Sequence, residues 1–429
     1  MAKRPEVDIF NVLTPGRMTE TTVCIIGAGP AGAAAALQLA QYGIHSVIVD
    51  KAFFPRDKVC GDGLSGKVIT ALTRIDPSIA ERLQQYTDKI NSWGVTFVSP
   101  GGVSMDVPYK PQYNTEEDAP IGFVCKRISF DQFLVDEIKR RPEISFIEGV
   151  SIDQYKLEDD GYLLSEAGGS LHIKAKLVIV ANGAHSSFTR HVANFTIEPA
   201  HHAAGVRAYY RNVTGMHKDN FIELHFLKPL LPGYLWIFPL PNGEANVGLD
   251  MISSAVKKKK VNLKQLLQTT IQEDPVLKER FRDASAISPI EGYGLPLGSK
   301  RRPLAGERYL LTGDAAYLID PFTGEGIGNA LYTGRIAAEH ARDAIQANDF
   351  SADALASYTD HVYRVLGAEL SLSHRLQKLV RYRWLFNFLM KMATKNRQLR
   401  DLVSCMFYEV DVRKKLASPV FYLKLLFNR

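Results

Sequence analysis

The chain has 429 residues, enough for two or three domains, and its 46% hydrophobic and 23% charged residues are typical of a globular protein. Its four cysteines (Cys24, Cys60, Cys125 and Cys405) are too few and too scattered for a disulfide framework or a metal cluster, so we expect a reducing cytoplasm and no metal. The first twenty residues lack a long apolar core, and no stretch of about 20 apolar residues follows, so we expect neither a signal peptide nor a membrane-spanning helix.

The net charge of +6 is distributed unevenly along the chain. From Ser371 to Arg429, 13 Lys and Arg stand against 3 Asp and Glu, a net charge of +10, which leaves −4 on the remainder. Large apolar residues interleave with these basic residues, a pattern typical of a helical region that contacts the anionic inner face of a cell membrane. A helical subdomain with a solvated basic face is the alternative. No recognition motif accompanies the charge, so we expect no nucleic acid partner.

A glycine-rich turn follows the first apolar run of the chain. Val23–Ile26 predicts a buried parallel strand, and an alanine-rich helix begins after Gly27-x-Gly29-x-x-Gly32. A second apolar strand ends at Asp50, whose carboxylate is placed to accept hydrogen bonds from ribose hydroxyls. This order of strand, glycines, helix, strand and acid predicts a dinucleotide site, with a pyrophosphate at the helix N-terminus. A parallel α/β unit that binds nothing is the alternative.

The loop after the second strand contains Cys60, Gly61 and Gly63. A loop in this position of a dinucleotide fold lies along the ligand, and its glycines allow main-chain atoms to approach a flat ring. Cys60 either contacts that ring or a substrate beyond it, or it is a small packing residue.

Two later strands also end where a ligand edge is expected. Arg127 ends one predicted strand, and the apolar run Lys176–Ala181 leads into the turn Asn182-Gly183. A strand that ends in small residues and glycine beside a parallel sheet belongs at the edge of a ligand.

A second anchor lies near the end of the predicted sheet. An apolar strand ends in Gly313-Asp314, a Pro- and Gly-rich loop follows, and a helix begins near Gly326-Ile327. Asp314 is placed to accept from a polyhydroxyl chain, and the helix N-terminus offers N–H groups to an anionic ring edge or phosphate.

Residues 196–299 are rich in alternating, strand-like patterns. Tyr234, Trp236 and Phe238 lie on one face of a predicted strand because side chains alternate with a period of two. Three aromatic residues on one face form either the wall of an apolar pocket or a core layer, and residue type alone favours a core layer.

Three motifs in this order resemble those of the p-hydroxybenzoate hydroxylase-like flavoprotein superfamily. They are Gly27-x-Gly29-x-x-Gly32, Asn182-Gly183-Ala184-His185-Ser186, and Gly313-Asp314 followed by Gly324-x-Gly326. Within this superfamily, two further motifs are most similar to the geranylgeranyl reductase family: Pro55-Arg56-x-Lys58-x-Cys60-Gly61-x-Gly63 and Tyr234-x-Trp236-x-Phe238-Pro239. This similarity favours a pocket wall, rather than a core layer, for the three aromatic residues. Asn182 stands where these families usually have Asp, and the Arg that trails the middle motif is one place late, at Arg190.

The resemblance implies an α/β fold that binds FAD rather than NAD. A Rossmann-like FAD-binding domain would comprise residues 20–195 and 300–350, an antiparallel β-sheet substrate domain would be inserted at 196–299, and 351–429 would be helical. Asp50 would bind the adenosine ribose, Arg127 would lie near the pyrophosphate or flavin, and Asp314 would bind the ribityl chain. Gly326 and Ile327 would face the isoalloxazine. The other cofactor-binding residues would be Gly27, Gly29, Ala31, Gly32, Cys60, Gly61, Gly63 and Val150.

By this resemblance the protein is an enzyme that saturates carbon–carbon double bonds of an isoprenoid or similar apolar lipid. Tyr234, Trp236 and Phe238 would line the substrate pocket, and Cys60, Tyr234 or an ordered water would donate the proton. A monooxygenase or halogenase, or an FAD-bearing module kept for partner binding or redox sensing, is the alternative. The electron donor would be NAD(P)H or a small redox protein.

Overall fold

A computed structural model describes residues 18–110, 112–169 and 171–396 of the chain. The strands, in chain order, are β1 (Met18–Ile26), β2 (Ser46–Asp50), β3 (Gly63–Leu64), β4 (Ile90–Ser92), β5 (Gly94–Val98), β6 (Ser104–Pro108), β7 (Gly122–Val124), β8 (Ile144–Glu148), β9 (Gln154–Glu158), β10 (Gly161–Ser165), β11 (His172–Val180), β12 (His202–Arg211), β13 (Ile222–His225), β14 (Leu235–Pro239), β15 (Glu244–Ile252), β16 (Ser285–Ala286), β17 (Glu291–Pro296), β18 (Ala305–Gly306) and β19 (Tyr309–Leu311).

The α-helices are α1 (Pro30–Gln41), α2 (Gly66–Ile75), α3 (Pro77–Gln85), α4 (Arg127–Lys139), α5 (Ser187–His191), α6 (Ser253–Lys259), α7 (Leu263–Glu273), α8 (Pro275–Arg280), α9 (Ile327–Ala347), α10 (Ala352–Leu379) and α11 (Arg383–Lys395). Short 3-10 helices lie at Pro199–His201, Pro241–Gly243 and Gly313–Ala316. Helices and parallel strands together confirm the predicted α/β class.

The first sheet has a parallel core in the order β8-β2-β1-β11-β19. In this register Ile26 at the end of β1 lies beside Val49 of β2 and Val180 of β11. Because parallel strands share their carboxyl edge, the turns that follow β1, β2, β11 and β19 meet at one place. Apolar residues such as Val23, Ile48 and Val178 are buried on both faces of the sheet, as the continuous apolar runs predict.

The second sheet has eight strands in the path β16-β12-β15-β14-β13-β5-β6, with β17 paired to β12. Its pairs are antiparallel except for β13 with β5. Residues 94–108 supply β5 and β6, so the sheet also takes two strands from the predicted 20–195 segment. A third, three-stranded sheet, β3-β7-β4, lies within residues 63–124.

Helices α10 and α11 confirm a helical region after residue 351 as far as residue 396, and the rest of the basic segment, 397–429, lies outside the described residues. Helix α11 covers one face of the second sheet, where Phe386 packs edge-on against Phe226 with ring centroids 5.0 Å apart. Among the described helices, none is both long enough and apolar enough to span a bilayer.

Close packing of α1 on α9 holds the first sheet domain together, and Gly334 of α9 makes this approach feasible. A Cβ atom at Gly334 would lie 2.0 Å from the carbonyl oxygen of Ala31. Alanines on α1, including Ala33, Ala34 and Ala35, are fully buried at this level of the core.

We expect Gly334→Ala to destabilise the protein by about 1–3 kcal/mol, because the added methyl group forces two helix backbones apart. Gly367→Ala in α10 is the matched control, since its Cβ would meet no atom closer than 3.6 Å. This control should be neutral or more stable by about 0.5–1 kcal/mol. Urea unfolding of both variants tests the expectation, and equal midpoints would contradict it.

Candidate functional site

One cleft of about 480 Å³ lies between the carboxyl edge of the first sheet and a face of the second sheet. The residues predicted from sequence to bind cofactor or substrate border it, with the exception of Gly32. These bordering residues are Gly27, Gly29, Ala31, Asp50, Cys60, Gly61, Gly63, Arg127, Val150, Tyr234, Trp236, Phe238, Asp314, Gly326 and Ile327. The structure therefore brings together segments that are up to 300 positions apart in the chain.

The three glycines of the first motif have different surroundings. Gly27 has φ +103°, and a Cβ there would lie 2.5 Å from the carbonyl oxygen of Ala181. A Cβ on Gly32 would lie 1.8 Å from the carbonyl oxygen of Gly27, so Gly32 sets the contact between helix and strand behind the cleft. At Gly29 the nearest such atom is the Arg56 guanidinium, at 3.8 Å, which leaves open space on the cleft side.

The N-terminus of α1 fits a pyrophosphate. Its N-cap is Gly29, no side chain caps it, and its first turn holds no acidic residue, so its N–H groups and positive dipole end face the cleft. Across from it, the buried Asn182 Oδ1 borders the cleft and has no hydrogen-bond partner among the described residues. Free N–H groups for a pyrophosphate and an unpaired acceptor oxygen beside the cleft are both expected of a site that binds a dinucleotide cofactor.

Asp50 ends β2 and is held by two main-chain donors. Its carboxylate accepts from the N–H of Ala28 at 2.7 Å and from the N–H of Ala52 at 2.9 Å. The Asp50 carbonyl oxygen accepts from the N–H of Val150 at 3.0 Å. These bonds fix the carboxylate beside the glycine turn, with oxygen lone pairs left for ribose hydroxyls.

Three ion pairs, to two carboxylates, order the middle of the cleft. Lys58 Nζ lies 2.9 Å from Asp314 Oδ2, which joins the loop after β2 to the 3-10 helix before α9. Arg127, 2% exposed, binds Asp131 through Nε and a terminal nitrogen, both at 2.7 Å, and Arg56 binds the same carboxylate. Burial raises the pKa of Asp131, but the Arg127 and Arg56 guanidiniums outweigh this and hold the pKa below its ordinary value.

Tyr234, Trp236 and Phe238 form an aromatic wall of the cleft, and strand β15 is paired beside them. Tyr234, Trp236 and Phe238 are each less than 10% exposed and border the cleft. Trp236 pairs with Gly248 of β15 and Phe238 with Asn246, and a Cβ on Gly248 would lie 2.2 Å from the Trp236 ring. Because the ring occupies that space, glycine at this position lets the indole lie flat on the sheet.

Asn246, which sequence reasoning missed, ties the aromatic wall to the predicted flavin loop. Its Oδ1 accepts from Trp236 Nε1 at 2.8 Å, and its Nδ2 donates to the Cys60 carbonyl and to Asp62 Oδ2, both at 2.7 Å. The Tyr209 hydroxyl donates to Asp62 at 2.9 Å. Burial raises the pKa of Asp62 to about 6 against these hydrogen bonds.

The sequence does contain a pattern that could have identified Asn246 and its polar neighbours, and this pattern lies in the strand after the aromatic residues. Asn246, Gly248 and Asp250 alternate with apolar residues, and therefore lie on one face of the sheet, the face that also carries Phe238, Trp236 and Tyr234. The pairing register needed to see this is set by the turn between β14 and β15, which includes Asn242 with φ +62°.

The comparisons with known proteins agree with this geometry. A family model described as "FAD binding domain" matches residues 20–333. Digeranylgeranylglycerophospholipid reductase 3 of Methanosphaera stadtmanae is 31% identical over 355 residues, which cover 81% of this chain and 84% of the relative. Menaquinone reductase of Mycolicibacterium smegmatis is 30% identical over 331 residues, which cover 75% and 76%.

A solved structure extends the likeness to nearly the whole chain. The geranylgeranyl bacteriochlorophyll reductase-like protein of Thermoplasma acidophilum superposes with a TM-score of 0.77 at 22% identity, covering 93% of this chain and 99% of that one. The fold is therefore shared.

The fold and the cleft define a flavoprotein oxidoreductase. The chain belongs to the FAD-binding domain family, its cofactor is FAD, and it is an FAD-dependent reductase, as the sequence resemblance implies.

We expect Gly29→Ala to weaken FAD binding by at least roughly tenfold, or about 1.4 kcal/mol, because the added methyl group enters the space at the helix N-terminus. The free protein should keep its stability, since that space is open within it. Gly32→Ala should instead lower both stability and affinity. Flavin fluorescence titration and thermal unfolding of flavin-free protein measure the two effects, and wild-type affinity in Gly29→Ala would contradict the assignment.

Proposed function

We propose that this reductase saturates carbon–carbon double bonds in the isoprenoid chain of an apolar lipid. The observation that carries the proposal is that a single cleft joins the FAD cradle to a wall of Tyr234, Trp236 and Phe238. The names of the two relatives, a digeranylgeranylglycerophospholipid reductase and a menaquinone reductase, support a lipid or quinone as the molecule that enters.

When bound, reduced FAD supplies the hydride. The residues of the chain orient the alkene and exclude water from it. Apolar side chains of Phe123, Ile222 and Leu224 extend the wall, and Trp236 is held in one orientation by its bond to Asn246. A fixed wall is needed because a flexible chain reacts only when one alkene lies within roughly 3–3.5 Å of the hydride donor.

A cluster of packed aromatic rings extends from the cleft to α11. The Tyr234 and Phe226 rings have centroids 5.6 Å apart, and Phe226 in turn contacts Phe386 of α11. Phe322 stacks on Phe226 at 5.6 Å. This continuous apolar cluster packs α11 against the wall of the cleft.

The surface at the start of α11 suits a membrane, and we place the protein in the cytoplasm, at the inner face of the cell membrane. Tyr382, Trp384 and Phe388 are 61%, 72% and 54% exposed, with the exposed Arg381 and Arg383 among them. Aromatic rings at the lipid headgroup level and cations beside anionic headgroups are the features that hold interfacial helices. We call Arg381–Phe388 the α11 patch.

The first experiment uses FAD-loaded protein reduced chemically without oxygen, so the natural donor, NAD(P)H or a redox protein, need not be known. We expect a digeranylgeranyl phospholipid or menaquinone to gain two hydrogens per reduced double bond in mass spectra. A product that forms only in air and gains oxygen, or a halogen when halide is supplied, would instead support the monooxygenase or halogenase alternative. Flavin reduction with no product from either lipid would support a binding or sensing module.

The α11 patch predicts binding to anionic vesicles. Each basic residue near an anionic surface contributes about 1 kcal/mol, so Arg381→Glu with Arg383→Glu should weaken binding to phosphatidylglycerol vesicles by roughly tenfold or more. Arg140→Glu with Lys156→Glu is the matched control, since both side chains are exposed on other elements. Vesicle co-sedimentation at low and high salt measures the effect. Equal loss in both double variants would contradict a specific patch.

A further inference from the structure

Asp250 is a carboxyl group of the cleft to which the sequence resemblance assigned no role. It lies on β15 opposite Tyr234, whose N–H donates to Asp250 Oδ1 at 3.3 Å. Its Oδ2 is 4.0 Å from the position of a Cβ on Gly324, in the loop that leads into α9. Within the part of the chain described, no donor forms a hydrogen bond with Oδ2, and Asp250 borders the cleft.

No cation offsets the burial of Asp250 among the described residues. Burial raises its pKa to about 7, and the Tyr234 N–H is the group that opposes this. Of the cations that border the cleft, Lys58 pairs with Asp314, and Arg127 and Arg56 pair with Asp131.

The titratable groups nearest Tyr234 from other elements are Cys60 and Asp320, and neither is a cation. The Asp320 carboxylate accepts from the N–H groups of Phe322 and Thr323, and burial raises its pKa as well. Burial without a neighbouring cation favours the protonated form of Asp250, and its Oδ2, which meets no hydrogen-bond donor among the described residues, is free to face a substrate.

The Tyr234 hydroxyl, one of the proton donors predicted from sequence, is less well placed for this task. The Tyr234 hydroxyl donates to the Thr323 carbonyl at 2.5 Å, and burial raises the pKa of Tyr234 well above its usual value, which makes the phenol a weaker acid. Cys60 borders the cleft as a free thiol, and its carbonyl is fixed by Asn246. Asp250 lies beyond Tyr234 on the same face of the second sheet.

We propose that the Asp250 carboxylic acid donates the proton that completes reduction of the alkene, an inference that rests on the proposed function. The O–H bond of Asp250 breaks as a C–H bond forms at one alkene carbon and the π bond opens. Reduced FAD, when bound, would supply the hydride for the second C–H bond at the other carbon and would be left oxidised. The Asp250 carboxylate stabilises positive charge that develops on the substituted carbon, and it regains a proton from solvent afterwards.

Asp250→Asn tests the proposal, because the amide keeps the size of the side chain and has no proton to donate. We expect single-turnover reduction to slow by roughly 10²–10⁴-fold, the usual contribution of a general acid, while FAD binding is unchanged. Asp250→Glu should recover part of the rate. Asp283→Asn, at an exposed position of the same domain, is the matched control and should react as wild type. The wild-type rate should fall above about pH 7, as Asp250 loses its proton.

Infrared spectroscopy of flavin-free protein provides a readout that is independent of turnover. A protonated carboxyl band should titrate near pH 7 in wild type and Asp283→Asn, and Asp250→Asn should lack it. A wild-type rate in Asp250→Asn, or a missing band, would overturn the role of Asp250 and leave the proposed function standing. No product from wild type would overturn the proposed function, and the proton-donor role with it.

Discussion

The structure of the cleft depends on the buried amide of Asn246, which joins the second sheet to the loop after β2 through hydrogen bonds from opposite ends of one side chain. One end accepts from Trp236 on the neighbouring strand, and the other donates to the carbonyl of Cys60 and the carboxylate of Asp62. A buried amide left without these partners would cost about 1–3 kcal/mol for each unsatisfied group. The bonds therefore favour one alignment of the aromatic wall relative to the loop after β2.

Ion pairs reinforce the same alignment at the edges of the cleft. Arg207, 1% exposed on β12, binds Asp57 at 2.7 Å, and Lys58 binds Asp314. The loop after β2 is thus tied to the second sheet by Asp57 and to the 3-10 helix before α9 by Lys58. Removing one partner of a buried ion pair leaves the other charge unpaired, which costs more free energy than the intact pair contributes to stability. Such ion pairs therefore specify the geometry of the cleft more than they stabilise the fold.

The sequence predicted the parts of the site that depend on local chemistry. Gly27, Gly29, Asp50 and Asp314 were recognised because each follows a strand at a fixed spacing, and the parallel sheet brings strand ends together whatever lies between them. The family resemblance, confirmed by the comparisons, added FAD and the pocket position of Trp236.

The polar partners of the aromatic wall could not be predicted in this way. Asn246 and Asp250 acquire their roles from the pairing of β14 with β15, and a shift of one residue would turn both to the other face. In the same way, strands β5 and β6 joined the second sheet through a parallel pairing with β13, which lies more than 100 positions later. Cross-strand register is a long-range property, whereas motif spacing is local.

Asp62 and Asp250 show how one cleft gives two carboxyl groups with raised pKa values different tasks. Burial raises the pKa of both carboxyls, but Asp62 accepts from Asn246 and Tyr209 and is attracted by Arg207, whereas Asp250 accepts a single main-chain N–H. The better-compensated acid, with a pKa of about 6, is fixed within the loop after β2 by hydrogen bonds from Asn246 and Tyr209. The poorly compensated one, with a pKa of about 7, retains its proton more readily and turns an oxygen to the cleft. The number of donors around each carboxyl therefore separates the group that fixes the site from the group that supplies a proton within it.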